Sequence, residues 1–250
     1  MRSQLERSRP WLALLGLALT AAFLLPPAAT LARQYVFAQV VQFAVLALVV
    51  PALVVLGAPW RLTQAGSRLA ERAANARSHR QGAARAWVVL VGYIAIALAW
   101  RLPVTVDALV RTPVLVLAEA VTLIPAGCAL WLELVESPPF LPRISRPQRA
   151  AFAALPMWAL WAAAYILGFS QSTWFTAISH AGHGLGTIAD QEIGAGLLWA
   201  IPGLCFVPVV YVALITWLRD TANPDDEFRE VSDAEAGAGL ARPRPPRGWR

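Results

Sequence analysis

The residues of this chain that could do chemistry are few, and most of them interrupt long apolar runs. Gln39 and Gln42 fall early in one run, Arg101 closes the stretch Ala99-Trp100-Arg101-Leu102-Pro103, and Glu119 sits a short way into a third run. Asp190, Gln191 and Glu192 stand together just before a fourth, which carries Trp199. An ionisable or amide side chain in lipid is costly, so each of these groups either faces the interior of a helix bundle or serves a function. At about 1.5 Å per residue, Gln39 and Gln42 lie roughly 6–10 Å below the start of their run at Tyr35, and Glu119 about 9 Å into its own. Gln39, Gln42, Phe43 and Leu46 follow i, i+3, i+4, i+7 spacing and share one helical stripe. Four runs thus carry polar groups to similar depth, which predicts a polar cluster under one face. Arg101 and Glu119 lie near the ends of consecutive antiparallel runs and are expected to approach within salt-bridge or water-bridged distance, the long Arg stem reaching inward. The plainer alternative is that the charges neutralise each other and the amides only hold helices together.

The connection between residues 170 and 190 contains Ser179-His180-Ala181-Gly182-His183-Gly184. Two histidines three apart can share a helical face and offer imidazole nitrogens to copper or zinc. His180 and His183 are therefore candidate metal ligands, although two ligands do not complete a site. His79 lies in a different connection and cannot join them. Cys128 and Cys205 stand alone in apolar runs without a CxxC pattern, and read as small apolar residues inside helices. There is no G-x-S-x-G, H-E-x-x-H or phosphate-cradling loop, so no catalytic residue is assigned and a non-enzymatic role is expected. No cofactor is assigned either; copper is the metal in question.

The elements that must position these residues are transmembrane helices. Hydrophobic residues make up 58% of the 250 and charged residues only 14%, against about 25% charged in a soluble domain. Apolar runs long enough to cross a bilayer cover residues 11–31, 35–56, 86–102, 113–132, 150–169 and 193–218, which predicts an all-α, polytopic membrane bundle of about six spans. The first run follows Arg2, Arg7 and Arg9 and could be a signal peptide; its length, and the lack of a clean A-x-A site, favour a retained helix. Pro202 and Pro208 are expected to kink the last span. The 21 basic residues are all arginine. They crowd the N-terminus and the connections at residues 58–85 and 133–149, while the opposite side has Arg33, Arg101 and Arg111. This asymmetry predicts both termini in the cytoplasm. The charges flank helices instead of forming a basic patch on a soluble domain, so the expected partner is the lipid bilayer and nucleic acid is excluded. Residues 1–10 read as a cytoplasmic N-terminus, 11–218 as the membrane domain, and 219–250 as a disordered cytoplasmic tail with an acidic block and a basic Pro-rich end. Residues 58–85 suit a basic amphipathic helix on the membrane surface.

Three stretches carry a family resemblance: Gln39-Val40-Val41-Gln42-Phe43 running on to Leu56-Gly57-Ala58-Pro59; Trp100-Arg101-Leu102-Pro103; and Asp190-Gln191-Glu192-Ile193-Gly194 continuing through Trp199 to Pro202-Gly203. Together they resemble the polytopic CtaG-type cytochrome c oxidase assembly proteins, with matching order and spacing over about residues 35–217. The resemblance implies a factor that assists copper delivery or insertion into a haem–copper oxidase, at the outer face of a bacterial plasma (inner) membrane, with oxidase subunits as partners in respiratory chain biogenesis. It also implies histidines where this chain has Gln39, Phe43, Arg101 and Ala120, while Gln42, Asp190, Gln191, Gly194 and Trp199 match. Glutamine is a poor copper ligand, phenylalanine none, and arginine a fixed cation that repels metal. The alternatives are a divergent paralogue that has lost metal handling, a small-molecule or ion transporter, for which an inverted repeat is missing, and a membrane enzyme built on Asp190, Glu119, His180 and His183.

Overall fold

The computed structural model describes residues 10–78, 82–178 and 184–221. Among these residues the chain is helical, with no strand beyond an isolated bridge between Ser137 and Phe140. Helices α1 (Pro10–Leu24) and α2 (Ala28–Gln34) meet at a 52° bend. The break holds Pro26 and Pro27, which lack the N–H donors a continuous helix requires. Then come α3 (Val36–Ala44), a π-turn (Val45–Val49) and α4 (Val50–Gly57) in one continuous rod. A polar helix α5 (Gln64–Ser78) follows, then α6 (Gly82–Arg101), a short α7 (Pro103–Arg111), α8 (Leu115–Leu134), α9 (Arg146–Gly168) and α10 (Thr187–Thr221). Five segments are long and apolar enough to cross a membrane, and six if the bent α1–α2 pair counts as one span. The chain is a membrane protein, and an apolar belt of exposed side chains such as Val88, Leu204 and Phe169 surrounds its core.

The π-turn in the second span has a local cause. Pro51 has no N–H to give the carbonyl of Ala47 four residues back, so that buried acceptor needs another donor. The hydroxyl of Tyr93, buried on α6, donates to it at 3.2 Å. Gly127 of α8 closes against the same place: a Cβ there would lie 2.5 Å from Pro51 Cγ and 2.8 Å from the Ala47 oxygen. Small residues of this kind let membrane helices approach closely.

The end of the rod explains the Leu56-Gly57-Ala58-Pro59 motif. A Cβ on Gly57 would collide with Ala13 of α1, so only glycine allows this helix crossing. Ala58 takes a left-handed conformation at φ 46° that stops α4, and Pro59 opens a 3-10 turn. At the start of α9, Ser145 and Gln148 form a capping box, which starts the helix a turn before the apolar run does. Helix α10 has 35 residues and runs unbroken through Pro202 and Pro208. Its length of about 52 Å exceeds an apolar layer of about 30 Å, so it must extend beyond that layer. Residues 1–9 and most of the tail expected at 219–250 lie outside the described residues.

Candidate functional site

The site grows from the N-terminus of α10. Asp190 sits in its first turn, fully buried. A carboxylate there is favoured by the dipole of its own helix. The carboxylate also caps a second helix: Oδ2 accepts the Val36 N–H at 2.8 Å and Oδ1 the Phe37 N–H at 3.0 Å. These are first-turn amides of α3, whose own N-cap residue, Tyr35, supplies no side-chain cap. Asp190 is thus an N-cap delivered from 154 residues away. Gly194, one turn on, makes this reach possible, because a Cβ there would press on Val36 Cγ1 at 3.0 Å.

Gln191 organises the connection that precedes α10. Its Oε1 accepts the Trp174 N–H at 3.0 Å, and its Nε2 donates to the carbonyls of Leu167 and Ser172 at 3.0 and 3.2 Å. From the other side, Asp107 of α7 accepts the Thr176 hydroxyl at 2.7 Å and the Ala177 N–H at 3.0 Å. The segment from Trp174 to Ala177 is therefore pinned at both flanks. Phe175 is buried between these anchors, with its ring 5.6 Å from the Arg101 guanidinium.

Arg101 ends α6 because Leu102, which precedes Pro103, is extended and cannot continue the helix. The last turn of a helix favours a cation. The guanidinium is buried, lies over Phe43 at 5.2 Å, and donates through Nη1 to Gln39 Oε1. Of the two arrangements expected for Arg101 and Glu119, salt-bridged or water-bridged, the direct ion pair is not formed. Both Glu119 oxygens, and Nε and Nη2 of Arg101, are buried without a hydrogen-bond partner among the described residues, although Glu119 lies near enough to feel the charge. The Arg stem instead lays its head across the Phe43 ring toward α3, where an amide oxygen and an aromatic face both attract it. Among the described residues, Arg101 is also the one charged side chain lining a cavity of about 270 Å³ between Leu98, Leu167, Trp174 and Leu198.

The structure thus brings together Gln39, Arg101 and Glu119, with Asp190 and Gln191 as braces. Gln42 is buried but turns away, its Nε2 donating to the Phe23 carbonyl at 2.6 Å near the end of α1. Trp199 lies on the α9–α10 surface, stacked on Trp161 at 5.1 Å. His180 and His183 are outside the described residues. At positions 39, 43, 101 and 120 the side chains present do not fit copper: Gln39's oxygen is taken by Arg101, and a fixed cation opposes a second one. Among the described residues no group of three or more His, Cys, Asp or Glu converges to hold a metal.

Two anchors escaped sequence reasoning. One is Asp107, whose signal was Pro103 opening a short amphipathic stretch. The other is Glu133, at the opposite end of α8 and fully buried. Arg77 Nη2 reaches its Oε1 at 2.7 Å and Arg143 Nε at 2.8 Å, while the Arg143 N–H donates to Oε2 at 3.2 Å. This triad ties α5 to the α8–α9 connection. Burial pushes the Arg77 guanidinium below its ordinary pKa, and Glu133 pulls it back up.

The chain matches, over residues 1–220, the family described as cytochrome c oxidase caa3 assembly factor (Caa3_CtaG). No curated protein and no solved structure matches it.

Proposed function

The chain belongs to the cytochrome c oxidase caa3 assembly factor family, and from that premise we propose that it assists copper insertion into a haem–copper oxidase at the outer face of the bacterial plasma membrane, without holding copper in its own spans. In this reading the arginine-rich end, with Arg61, Arg68, Arg72 and Arg77, faces the cytoplasm. The end carrying Asp190, Gln191 and Arg101 then faces outward.

The observation that carries the reading is the setting of Arg101. A permanent cation, buried over Phe43 and bonded to Gln39, stands among the positions where the family resemblance leads one to expect ligands. What remains is a braced outer platform, in which Asp190 locks α10 to α3 while Gln191 and Asp107 hold the connection above Arg101. Next to it, Phe169 and Trp199 are exposed beside Tyr165 and Glu192 around a groove of about 300 Å³. We assign contact with the oxidase subunit to this surface, and no bond-making step to the protein itself. Photo-crosslinking groups placed at Phe169 and Trp199 should capture an oxidase subunit in the membrane, and one at Leu69 on α5 should not. Capture from Leu69 alone would place the working face at the wrong end.

A further inference from the structure

The cavity of about 270 Å³ beside Arg101 lies between α6, α9 and α10, next to the connection that carries Trp174 and Phe175. Apart from Arg101, the side chains that line it are apolar or aromatic, Leu98, Ala163 and Leu198 among them. Leu102 and Ile166 also line it and are exposed on the surface that faces lipid, so the cavity opens toward the bilayer. Arg101 itself is only 6% exposed. Its Nη1 donates to Gln39, whereas Nε and Nη2 have no partner among the described residues. Those two nitrogens form one edge of the guanidinium, and their N–H bonds point the same way as a two-pronged fork. Buried donors in native proteins are almost always satisfied, so this edge calls for an acceptor.

We propose that the cavity holds one acyl chain of a membrane glycerolipid, whose ester carbonyl accepts from Nε and Nη2 of Arg101. Depth is the first argument. The apolar part of α6, Ala84–Arg101, has 18 residues and is about 27 Å long. Arg101 therefore stands where a hydrocarbon layer of about 30 Å gives way to polar groups, and the ester carbonyls of glycerolipids occupy that boundary. Charge is the second argument. Glu119 is near enough to balance the guanidinium, although it makes no hydrogen bond with it. A carboxylate or phosphate in the fork would add a second negative charge to a buried cluster that is already neutral, at a high desolvation cost. The acceptor that fits is thus uncharged. A lipid ester is such an acceptor, and the chain attached to it matches the apolar walls. The head group stays outside the cavity, so the site selects for the carbonyl and not for the head group. Because Trp174 and Phe175 line the cavity too, the chain packs against the segment that Gln191 and Asp107 pin.

The test compares two phosphatidylcholines of equal chain length, one ester-linked and one ether-linked, which share a head group and differ in the carbonyls. Native mass spectrometry counts the lipid that the full chain retains after release from nanodiscs of each. The wild type should retain the ester lipid about ten-fold more strongly, equivalent to about 1.4 kcal/mol. Arg101→Met removes the fork, keeps an unbranched stem, and should bring the two lipids to equal retention. Since Arg101 also holds Gln39, Ala163→Phe provides a second variant that fills the cavity without touching a polar group. It should lower retention of the ester lipid to the level of the ether lipid. Leu204→Phe, on the exposed face of α10, should keep the wild-type difference. Equal retention of the two lipids by the wild type, or an undiminished ester preference in Ala163→Phe, would overturn the proposal.

Discussion

Replacing Asp190 separates a brace from an ornament. The carboxylate accepts two charge-assisted bonds from backbone amides of α3, at 2.8 and 3.0 Å, in a fully buried position. Bonds to charged groups in proteins contribute about 1.5–3 kcal/mol each, which gives about 3–6 kcal/mol for the pair. Hydrogen bonds between membrane helices are weaker, about 0.6 kcal/mol on average and about 1.7 at most, which gives about 1–3. The two ranges meet at about 3 kcal/mol, the destabilisation expected for Asp190→Ala. Asp190→Asn keeps one acceptor oxygen and should lose about half as much. Reversible unfolding in mixed micelles, driven by a denaturing detergent and followed by circular dichroism, gives the magnitude. Hydrogen exchange at the Val36 and Phe37 amides gives the location, because both should lose protection ahead of the rest of α3. A change within about 0.5 kcal/mol for the alanine variant, the range of an ordinary surface substitution, would refute the capping argument.

Three further perturbations follow from the same geometry. Tyr93→Phe removes the donor that satisfies the Ala47 carbonyl and should lower stability by about 1 kcal/mol in the same unfolding assay. Gly127→Leu forces a side chain into Pro51 and the Ala47 carbonyl; a loss of about 1–3 kcal/mol is the minimum expected, visible as a drop in folded yield. Glu133→Ala strands Arg77 and Arg143 and should cost about 3 kcal/mol, with α5 gaining protease sensitivity before the spans do.

The spans were legible because a bilayer demands about twenty apolar residues in a row, and that demand overrides local propensity. The residues of the polar cluster were legible for the complementary reason, since Gln39, Arg101, Glu119 and Asp190 each violate the apolar rule. Their partners were not. Arg101 could face either α3 or α8, and the choice depends on how Phe43 and Phe175 pack, which no spacing along the chain encodes. Asp190 stands in the sequence at the start of its own span, whereas the amides of Val36 and Phe37 that it binds belong to α3. Glu133 passed as the first residue of a connection, because Arg77 and Arg143 reach it only once that connection folds back. The Tyr93 contact was within reach of sequence reasoning: a proline inside a span frees the carbonyl four residues back, and a buried tyrosine hydroxyl needs an acceptor.

The decisive quantity is the copper-to-haem ratio of the oxidase, purified from a strain lacking this gene and from the same strain carrying wild type, Asp190→Ala or Gln39→Ala. The oxidase from the deletion strain should be copper-poor. Wild type should restore it fully, Asp190→Ala poorly because α10 and α3 separate, and Gln39→Ala largely, because no copper ligand is lost with that amide. A full copper complement in the deletion strain, with no related gene to compensate, would contradict the assignment to copper insertion. Failure of Gln39→Ala alone, with Asp190→Ala fully active, would contradict the account of the site.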